Sequence, residues 1–364
     1  MKNESFTRYG KGMVIIMKKN IFVMALLVMV LLLTGCKSAN NTTSGASNGA
    51  TNENVNTEDP SNNGVEEGTN SDNAGTDSAV NEENVLTEVV IKHSLGTVTV
   101  PTNVEKAVVF DFGSLDTIDA LGIDVTLAVP VDNLPAYLEK YSDSVSAGGI
   151  KEPDLEAIFD FDPDVIIISG RQSSYYDQLS EIAPTIYVEL NAQTYMEDFK
   201  KNVNNIAQIF GVTDEANAKL AEIEARVEEV KAIAKAKEDK ALVVLTNDGN
   251  ISVYGSGSRF GIIHDTLGVK QADENIEAST HGQEANYEYI AKVNPDIIFV
   301  VDRTAVVGGT ANASSTLDNE LVNETNAAKN GNIISLNSDY WYLSGGGLIS
   351  VNEMISNIEA AISK

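Results

Sequence analysis

Residues 213–237 read TDEANAKLAEIEARVEEVKAIAKAK, and this stretch decides the fold. Leu220, Ile223, Val227, Val230 and Ala234 recur at spacings of three and four, which places them on one stripe of an α-helix. Glu222, Glu224, Glu228, Glu229, Lys231 and Lys235 occupy the other sides. Thr213 is a suitable N-cap, Asp214 and Glu215 suit the positive end of the helix dipole, and Lys235 and Lys237 suit the negative end. A helix over 214–237 is about 36 Å long, the size of a domain. About two heptads are too few for a coiled coil, so the flanking segments decide whether the helix is a spacer or a strut.

On both sides of it, short apolar strands alternate with helical segments. Strands are expected at 89–93, 97–100, 107–110, 126–129, 165–168 and 185–188, with helices near 114–121, 153–159, 172–182 and 196–210. After the long helix come strands at 241–246 and 251–254, helices near 259–267 and 286–293, strands at 297–301 and 333–336, and a last helix at 348–362. The expected fold class is therefore α/β: two Rossmann-like α/β lobes joined by a single long helix, with a ligand cleft between them. The lobes are assigned to residues 86–212 and 238–364, and the connecting helix to 213–237.

A repeat at an offset of 132 residues pairs the lobes. Glu156-Ala-Ile158, Pro163-Asp164-Val165-Ile166-Ile167 and Arg171 match Glu288-Tyr-Ile290, Pro295-Asp296-Ile297-Ile298-Phe299 and Arg303. A second echo sets Asp119-Ala-Leu-Gly-Ile123 against Asp265-Thr-Leu-Gly-Val269. Each unit reads as a helix, a Pro-Asp turn and a buried strand, with an arginine past the strand's carboxyl end, where open α/β sheets bind ligands. One such arginine alone is most simply a solvated surface residue. The matched placement points to Arg171 and Arg303 facing a shared cleft. Arg259, in Tyr254-Gly-Ser-Gly-Ser-Arg-Phe-Gly261, follows a glycine-rich turn that runs into a helix N-terminus, a setting attractive to anions. This loop has neither the Walker nor the Rossmann fingerprint.

The first 36 residues carry five Lys/Arg against one Glu, so their removal takes the net charge from −28 to about −32. Such a charge disfavours nucleic acid or an anionic surface as partner. Three arginines in a cleft would reverse the sign locally and imply a compact anionic ligand.

Lys18 and Lys19 precede an apolar run at 21–33 that is too short to span a bilayer, and the run ends in Leu33-Thr34-Gly35-Cys36. Residues 1–36 read as an export signal. The Leu-x-Gly-Cys pattern resembles the lipobox of bacterial lipoproteins, which implies a lipid-modified Cys36, the sole cysteine of the chain. A second candidate start is Met17. Residues 37–85 are Asn, Ser, Thr, Gly, Asp and Glu with almost no large apolar side chain, the composition of a disordered tether.

Of the three histidines, His93 and His264 fall in apolar settings and read as structural. His281, in Ser279-Thr-His-Gly282, precedes the second copy of the repeat, and Tyr340-Trp341-Tyr342 precedes Ser344-Gly-Gly-Gly347 in what reads as a loop. The aromatic trio suits either a cover over the core or, with His281, donors for iron(III), a hard cation that accepts phenolate and imidazole. No nucleophile elbow, HExxH or Cys/His cluster supports an enzyme.

Residues 86–364 resemble the helix-strutted (class III) solute-binding lipoproteins of bacterial iron-siderophore ABC transporters, closest to the ferric-catecholate branch. The matching stretches are His93-Ser-Leu-Gly-Thr-Val-Thr-Val-Pro101, Phe110-Asp-Phe-Gly-Ser-Leu-Asp116, Ser169-Gly-Arg171, Ser258-Arg-Phe-Gly261, Thr280-His-Gly282, Val301-Asp-Arg303 and Tyr340-Trp-Tyr-Leu343. The resemblance implies that Arg171, Arg259 and Arg303 contact catecholate oxygens. It also implies that His281 and a tyrosine of the 340–342 stretch, Tyr342 in the first instance, complete the coordination of a siderophore with four donors. Glu156 and Glu288 would dock to the permease. The implied protein is a monomer that is not an enzyme, has no intrinsic cofactor, and is anchored to the extracytoplasmic face of a membrane, at a Gram-positive surface. Competing readings are a binder of haem, cobalamin or a hydroxamate siderophore, and a lipid-anchored enzyme or adhesin on the same scaffold.

Overall fold

The computed structural model describes residues 87–364. The export signal, Cys36 and the tether lie outside the described residues. The chain opens with an antiparallel hairpin, β1 (Glu88–His93) and β2 (Gly96–Pro101). The first lobe then runs β3 (Lys106–Val109), α1 (Phe112–Ala120), β4 (Thr126–Val129), β5 (Val145–Ser146), α2 (Leu155–Phe161), β6 (Val165–Ile168), α3 (Tyr176–Ser180), β7 (Thr185–Tyr187) and α4 (Tyr195–Ile209). Its sheet is wholly parallel, in the order β5-β4-β3-β6-β7. Both faces are covered. Ala107, Val109, Val165 and Ile167 pack on one side, and Val108, Phe110, Ile166 and Ile168 on the other. Burial on both faces is why these strands read as unbroken apolar runs.

The long helix, α5, spans Thr213–Lys235 and buries Ala216, Leu220, Ile223, Val227, Val230 and Ala234. The stripe lies where its spacing placed it. It joins one core with Phe199 and Val203 of α4 and with the inner face of the second sheet, so α5 is a packed strut. Each buried Leu, Ile or Val contributes about 1.5–3 kcal/mol by leaving water. The helix ends differ from the sequence reading. Thr213 is the first helical residue, Val212 holds the cap position without a side-chain bond, and the helix stops at Lys235, short of Lys237. The backbone N–H groups of Ala236 and Lys237 bond to the Ile233 and Ala234 carbonyls, a tightened last turn that ends the helix.

The second lobe runs β8 (Lys240–Asn247), β9 (Asn250–Tyr254), α6 (Ile262–Asp265), β10 (Lys270–Gln271), β11 (Gln283–Ala285), α7 (Tyr287–Val293) and β12 (Ile297–Asp302). Four short helices follow, α8 (Thr304–Val307), α9 (Ala313–Leu317), α10 (Glu320–Asn323) and α11 (Asn326–Lys329), then β13 (Ile333–Leu336) and α12 (Leu348–Ile362). Its sheet, in the order β11-β9-β8-β12-β13, is mixed, since β9 runs antiparallel to both β8 and β11. The expected helix at 259–267 shrinks to the single turn of α6, and that at 172–182 divides into a 3₁₀ turn (Gly170–Tyr175) and α3. A helix as short as α6 has little dipole to offer an anion beside Arg259.

The repeat holds at the level of capping. Asp154 and Asn286 are the side-chain N-caps of α2 and α7, and Asp162 and Asn294 end those helices in the left-handed conformation, with φ of 54° and 46°. The carboxylates of Asp164 and Asp296 then accept from the backbone N–H of Lys106 and Lys240, which pins the start of β6 to β3 and of β12 to β8. Glu156 and Glu288, the second residues of α2 and α7, are both exposed.

Candidate functional site

Both sheets have their switch point at the first strand of the lobe, β3 or β8, next to the strand that carries the repeat, β6 or β12. In the first lobe the chain leaves β3 through Asp111 and Gly113 and leaves β6 through Ser169-Gly170-Arg171. All five residues line a cavity of about 560 Å³. That size falls within the range of small-molecule sites. The far wall comes from Arg259, Phe260, Thr280, His281 and the segment from Trp341 to Gly346. Tyr187, the last residue of β7, and the segment from Val188 to Ala192 after it also line the cavity. These last positions, with Asp111, Tyr195 and Asn202, were not singled out from the sequence. The signal that pointed to Arg171, a place just past a parallel strand's carboxyl end, applies equally to Tyr187–Asn191.

The three arginines meet at one residue. Arg171 donates through Nη2 to the Tyr342 carbonyl at 3.1 Å, and Arg259 donates to the same oxygen at 2.7 Å. Arg303 donates through Nε to the Tyr342 hydroxyl at 2.7 Å and through Nη1 to Asn247 Oδ1 at 2.5 Å. The Arg259 guanidinium also lies 4.2 Å from the centre of the Tyr342 ring, a cation–π contact. Arg171 comes from the first lobe, and Arg259 and Arg303 come from the second. Arg303 stands just behind the cavity lining, where its two bonds hold it at the Tyr342 hydroxyl and Asn247.

Charge follows from this geometry. Burial pushes the Tyr342 phenol up, but the hydrogen bond from Arg303 and the charges of Arg259, Arg303 and Arg171 outweigh it, leaving the phenol below its ordinary value. Desolvation also lowers the Arg259 guanidinium, which stays a cation.

Residues 339–344 form a π-helical turn rather than a loop. The turn divides the aromatic trio. Trp341 is buried in the core beside Phe260, with its indole N–H on Asn357 Oδ1 at 3.2 Å, and one face of it reaches the cavity. Tyr342 lines the cavity, whereas Tyr340 packs on the Tyr137 ring, 4.7 Å between centres, outside the lining. His281 is exposed in the cavity wall, and its carbonyl accepts from the Tyr254 hydroxyl at 2.8 Å. Gly282 beside it has φ +77°, and a Cβ there would lie 2.6 Å from the Tyr254 ring, so the loop turns only with glycine. His264 is buried, with Nδ1 bonded to the Val269 carbonyl, and His93 packs edge-on against Tyr176; neither lines the cavity.

Residues 108–340 match the family model described as periplasmic binding protein. The chain belongs to the periplasmic binding protein family. It is 46% identical over 283 residues to the petrobactin-binding protein YclQ of Bacillus subtilis, covering 76% of this chain and 89% of that protein. The crystal structure of YclQ superposes with a TM-score of 0.74, covering 76% of this chain and 99% of that one. The ferric-anguibactin-binding protein FatB of Vibrio anguillarum is 34% identical, covering 75% and 87% of the two chains. The periplasmic catecholate-siderophore binding protein VctP of Vibrio cholerae is 34% identical, with a TM-score of 0.71 and coverage of 75% and 99%. These relatives share the two-lobed α/β architecture with the chain.

Proposed function

We propose that the protein captures a ferric catecholate siderophore outside the cytoplasm and delivers it to an ABC permease for iron uptake. The observation that carries this reading is the convergence of Arg171, Arg259 and Arg303, from two lobes, on one cavity tyrosine. In a chain of net charge −28, that cluster is a local site for an anion. A ferric tris-catecholate carries about three negative charges, and guanidinium offers forked donors to its oxygens and stacks on its rings. Cobalamin and neutral hydroxamate complexes would leave this cluster without a charge to match, and haem, whose anionic charge is confined to two propionates at one edge, would match it only in part. The names of YclQ, FatB and VctP support a siderophore as the cargo.

Trp341 is the only tryptophan and touches the cavity, so its fluorescence reports occupancy. Titration with ferric bis- and tris-catecholates is expected to quench it saturably, with much weaker responses to a ferric hydroxamate, haem and cobalamin. Tighter binding of a hydroxamate than of every catecholate would overturn the reading.

Delivery rests on Glu156 and Glu288, which stand exposed at equivalent places on the two lobes. Reversing both charges to lysine is expected to abolish uptake by cells while leaving the solution affinity within about twofold, since neither residue lines the cavity. Loss of ligand binding in the double variant would place them in the site instead. Anchoring is assigned to Cys36, in Leu33-Thr34-Gly35-Cys36. Cys36→Ala is expected to release the protein from the membrane or leave it unprocessed, as fractionation and N-terminal analysis would report. Normal processing and retention would reject the assignment. Ligand capture as a monomer at a Gram-positive cell surface completes the proposal.

A further inference from the structure

Asp116 is a fully buried carboxylate that does not line the cavity. It projects from α1 of the first lobe, and its donors come from elsewhere in the chain. The Ile349 N–H bonds to Oδ1 at 2.6 Å, the Ser350 N–H to Oδ2 at 2.7 Å, and the Tyr137 hydroxyl to Oδ2 at 2.9 Å. Ile349 and Ser350 belong to the first turn of α12, so the carboxylate meets backbone donors that have no partner within their own helix. Gly347, at the cap position of α12, has no side chain to do this. A Cβ on Gly347 would lie 2.3 Å from Asp116 Cγ, and one on Gly113 would lie 2.8 Å from the Ser344 carbonyl oxygen. Glycine on both sides lets α1 approach the start of α12.

The same carboxylate reaches the π-helical turn by a second route. The Tyr137 ring packs at a tilt against Tyr340, and the Ala136 N–H donates to Asp339 Oδ2 at 3.3 Å. The segment that carries Tyr342 is thus held at residue 340 through Tyr137 and at residues 349–350 by Asp116 itself. Beyond the contact, α12 is fixed to the strut, where Arg226 of α5 donates to Asn352, to Ser356 Oγ at 3.0 Å and to Glu359 at 2.9 Å.

We propose that Asp116 is a positioning residue for ligand binding: it clamps the segment from Tyr340 to Ser350 onto the first lobe and so sets where Tyr342 stands between the arginines of the two lobes. The inference rests on the reading of the cavity as the ligand site. A carboxylate suits the task because two acceptor oxygens meet three donors. An asparagine would turn an NH₂ group toward one of them.

Acidity separates this role from ordinary structural support. Loss of solvation pushes the Asp116 carboxyl up to about 6, against the opposing pull of its hydrogen bonds. The ionisable groups around it are Tyr137, Tyr195 and Tyr340, whose phenols are raised and stay neutral, with Asp111 and Asp119 on its own helix, Asp339 on the turn and Glu353 on α12. Asp119 is paired with Lys140 and Tyr141. Asp339 is also raised by burial. Because the folded-state value of Asp116 lies above the unfolded one, its contribution to stability falls as pH rises toward 6 and recovers on acidification. The fold therefore does not weaken through this group as pH drops. The clamp does, because a protonated carboxyl can no longer accept from all three donors.

The test uses the full chain, with and without the ferric complex of a synthetic tetradentate bis-catecholate. Amide hydrogen exchange is followed over residues 340–350 together with the thermal midpoint and the affinity. In the wild type, acidification from about pH 7.5 to about 5.5 is expected to raise exchange in this segment, after correction for intrinsic rates, without lowering the midpoint. Asp116→Asn is expected to show that raised exchange already at neutral pH, no further rise on acidification, and roughly tenfold weaker binding. Tyr137→Phe, which removes one donor and keeps the ring, is expected to change the same segment by less. Exchange and affinity equal to wild type in Asp116→Asn, or in Tyr137→Phe should the first variant not fold, would overturn the proposal. A wild type that binds no ferric catecholate would defeat the functional reading alone, since the exchange comparison without ligand still decides the clamp.

Discussion

Replacing Arg171 or Arg259 by alanine is expected to weaken binding of a ferric catecholate by roughly ten- to a hundredfold each. Both guanidinium groups line the cavity and currently share the Tyr342 carbonyl as acceptor. An incoming catecholate oxygen competes for donors that are already aimed. Charge-assisted bonds of this kind contribute on the order of 1.5–3 kcal/mol. Desolvation already lowers the Arg259 guanidinium, so its charge acts in a poorly screened setting. A loss of similar size is expected for Arg303→Ala, in part through Tyr342, whose hydroxyl it holds. Lysine keeps the charge and loses the planar fork, so each Arg→Lys variant should recover part of the loss. The comparison ligand is a neutral ferric hydroxamate, whose binding should change far less. Alanine variants that stay folded and bind the catecholate at full strength would sink the electrostatic reading of the cavity, and with it the choice of catecholates.

What the sequence made visible was local or repeated. The α5 stripe could be read because helix burial follows a period of 3.6, and the central strands because parallel strands covered on both faces are apolar throughout. The Pro-Asp turns could be read because their chemistry is confined to two residues, and the repeat showed them twice. What escaped was short or distant. β5, β10 and β11 have two or three residues each, too few for any period. The glycines at 345–347 suggested a loop after Tyr342, whereas they serve a close approach of helices and a π turn that sends Trp341 into the core and leaves Tyr342 in the cavity. Arg303 was placed by the repeat, but its bond to Asn247 spans 56 residues. The donors to Asp116 are 233 and 234 residues away, and no local pattern encodes such a contact.

Loss of both His281 and Tyr342 is expected to separate siderophores by their number of donors. Both residues line the cavity, His281 in the loop before β11 and Tyr342 in the π-helical turn after β13, the strands at the two ends of the second sheet. Octahedral iron(III) in a tetradentate bis-catecholate has two further positions, which one imidazole and one phenolate would fill under this proposal, whereas a hexadentate ligand leaves none. The arrangement favours this chemistry at Tyr342, because its three arginine neighbours hold the phenol below the ordinary value despite burial and so favour the anion that binds iron. The His281 loop is steadied by the Tyr254 hydroxyl on its carbonyl, which leaves the imidazole itself in the cavity wall. In the His281→Ala, Tyr342→Phe double variant, affinity for the tetradentate complex should fall on the order of a hundredfold, and that for the hexadentate complex by a few-fold at most. Phenylalanine keeps the ring that stacks on Arg259, so the arginine contribution shared by the two ligand classes is largely preserved. Equal losses for both ligands would mean that these residues shape the pocket without touching the metal, and the iron would then be held by the siderophore alone.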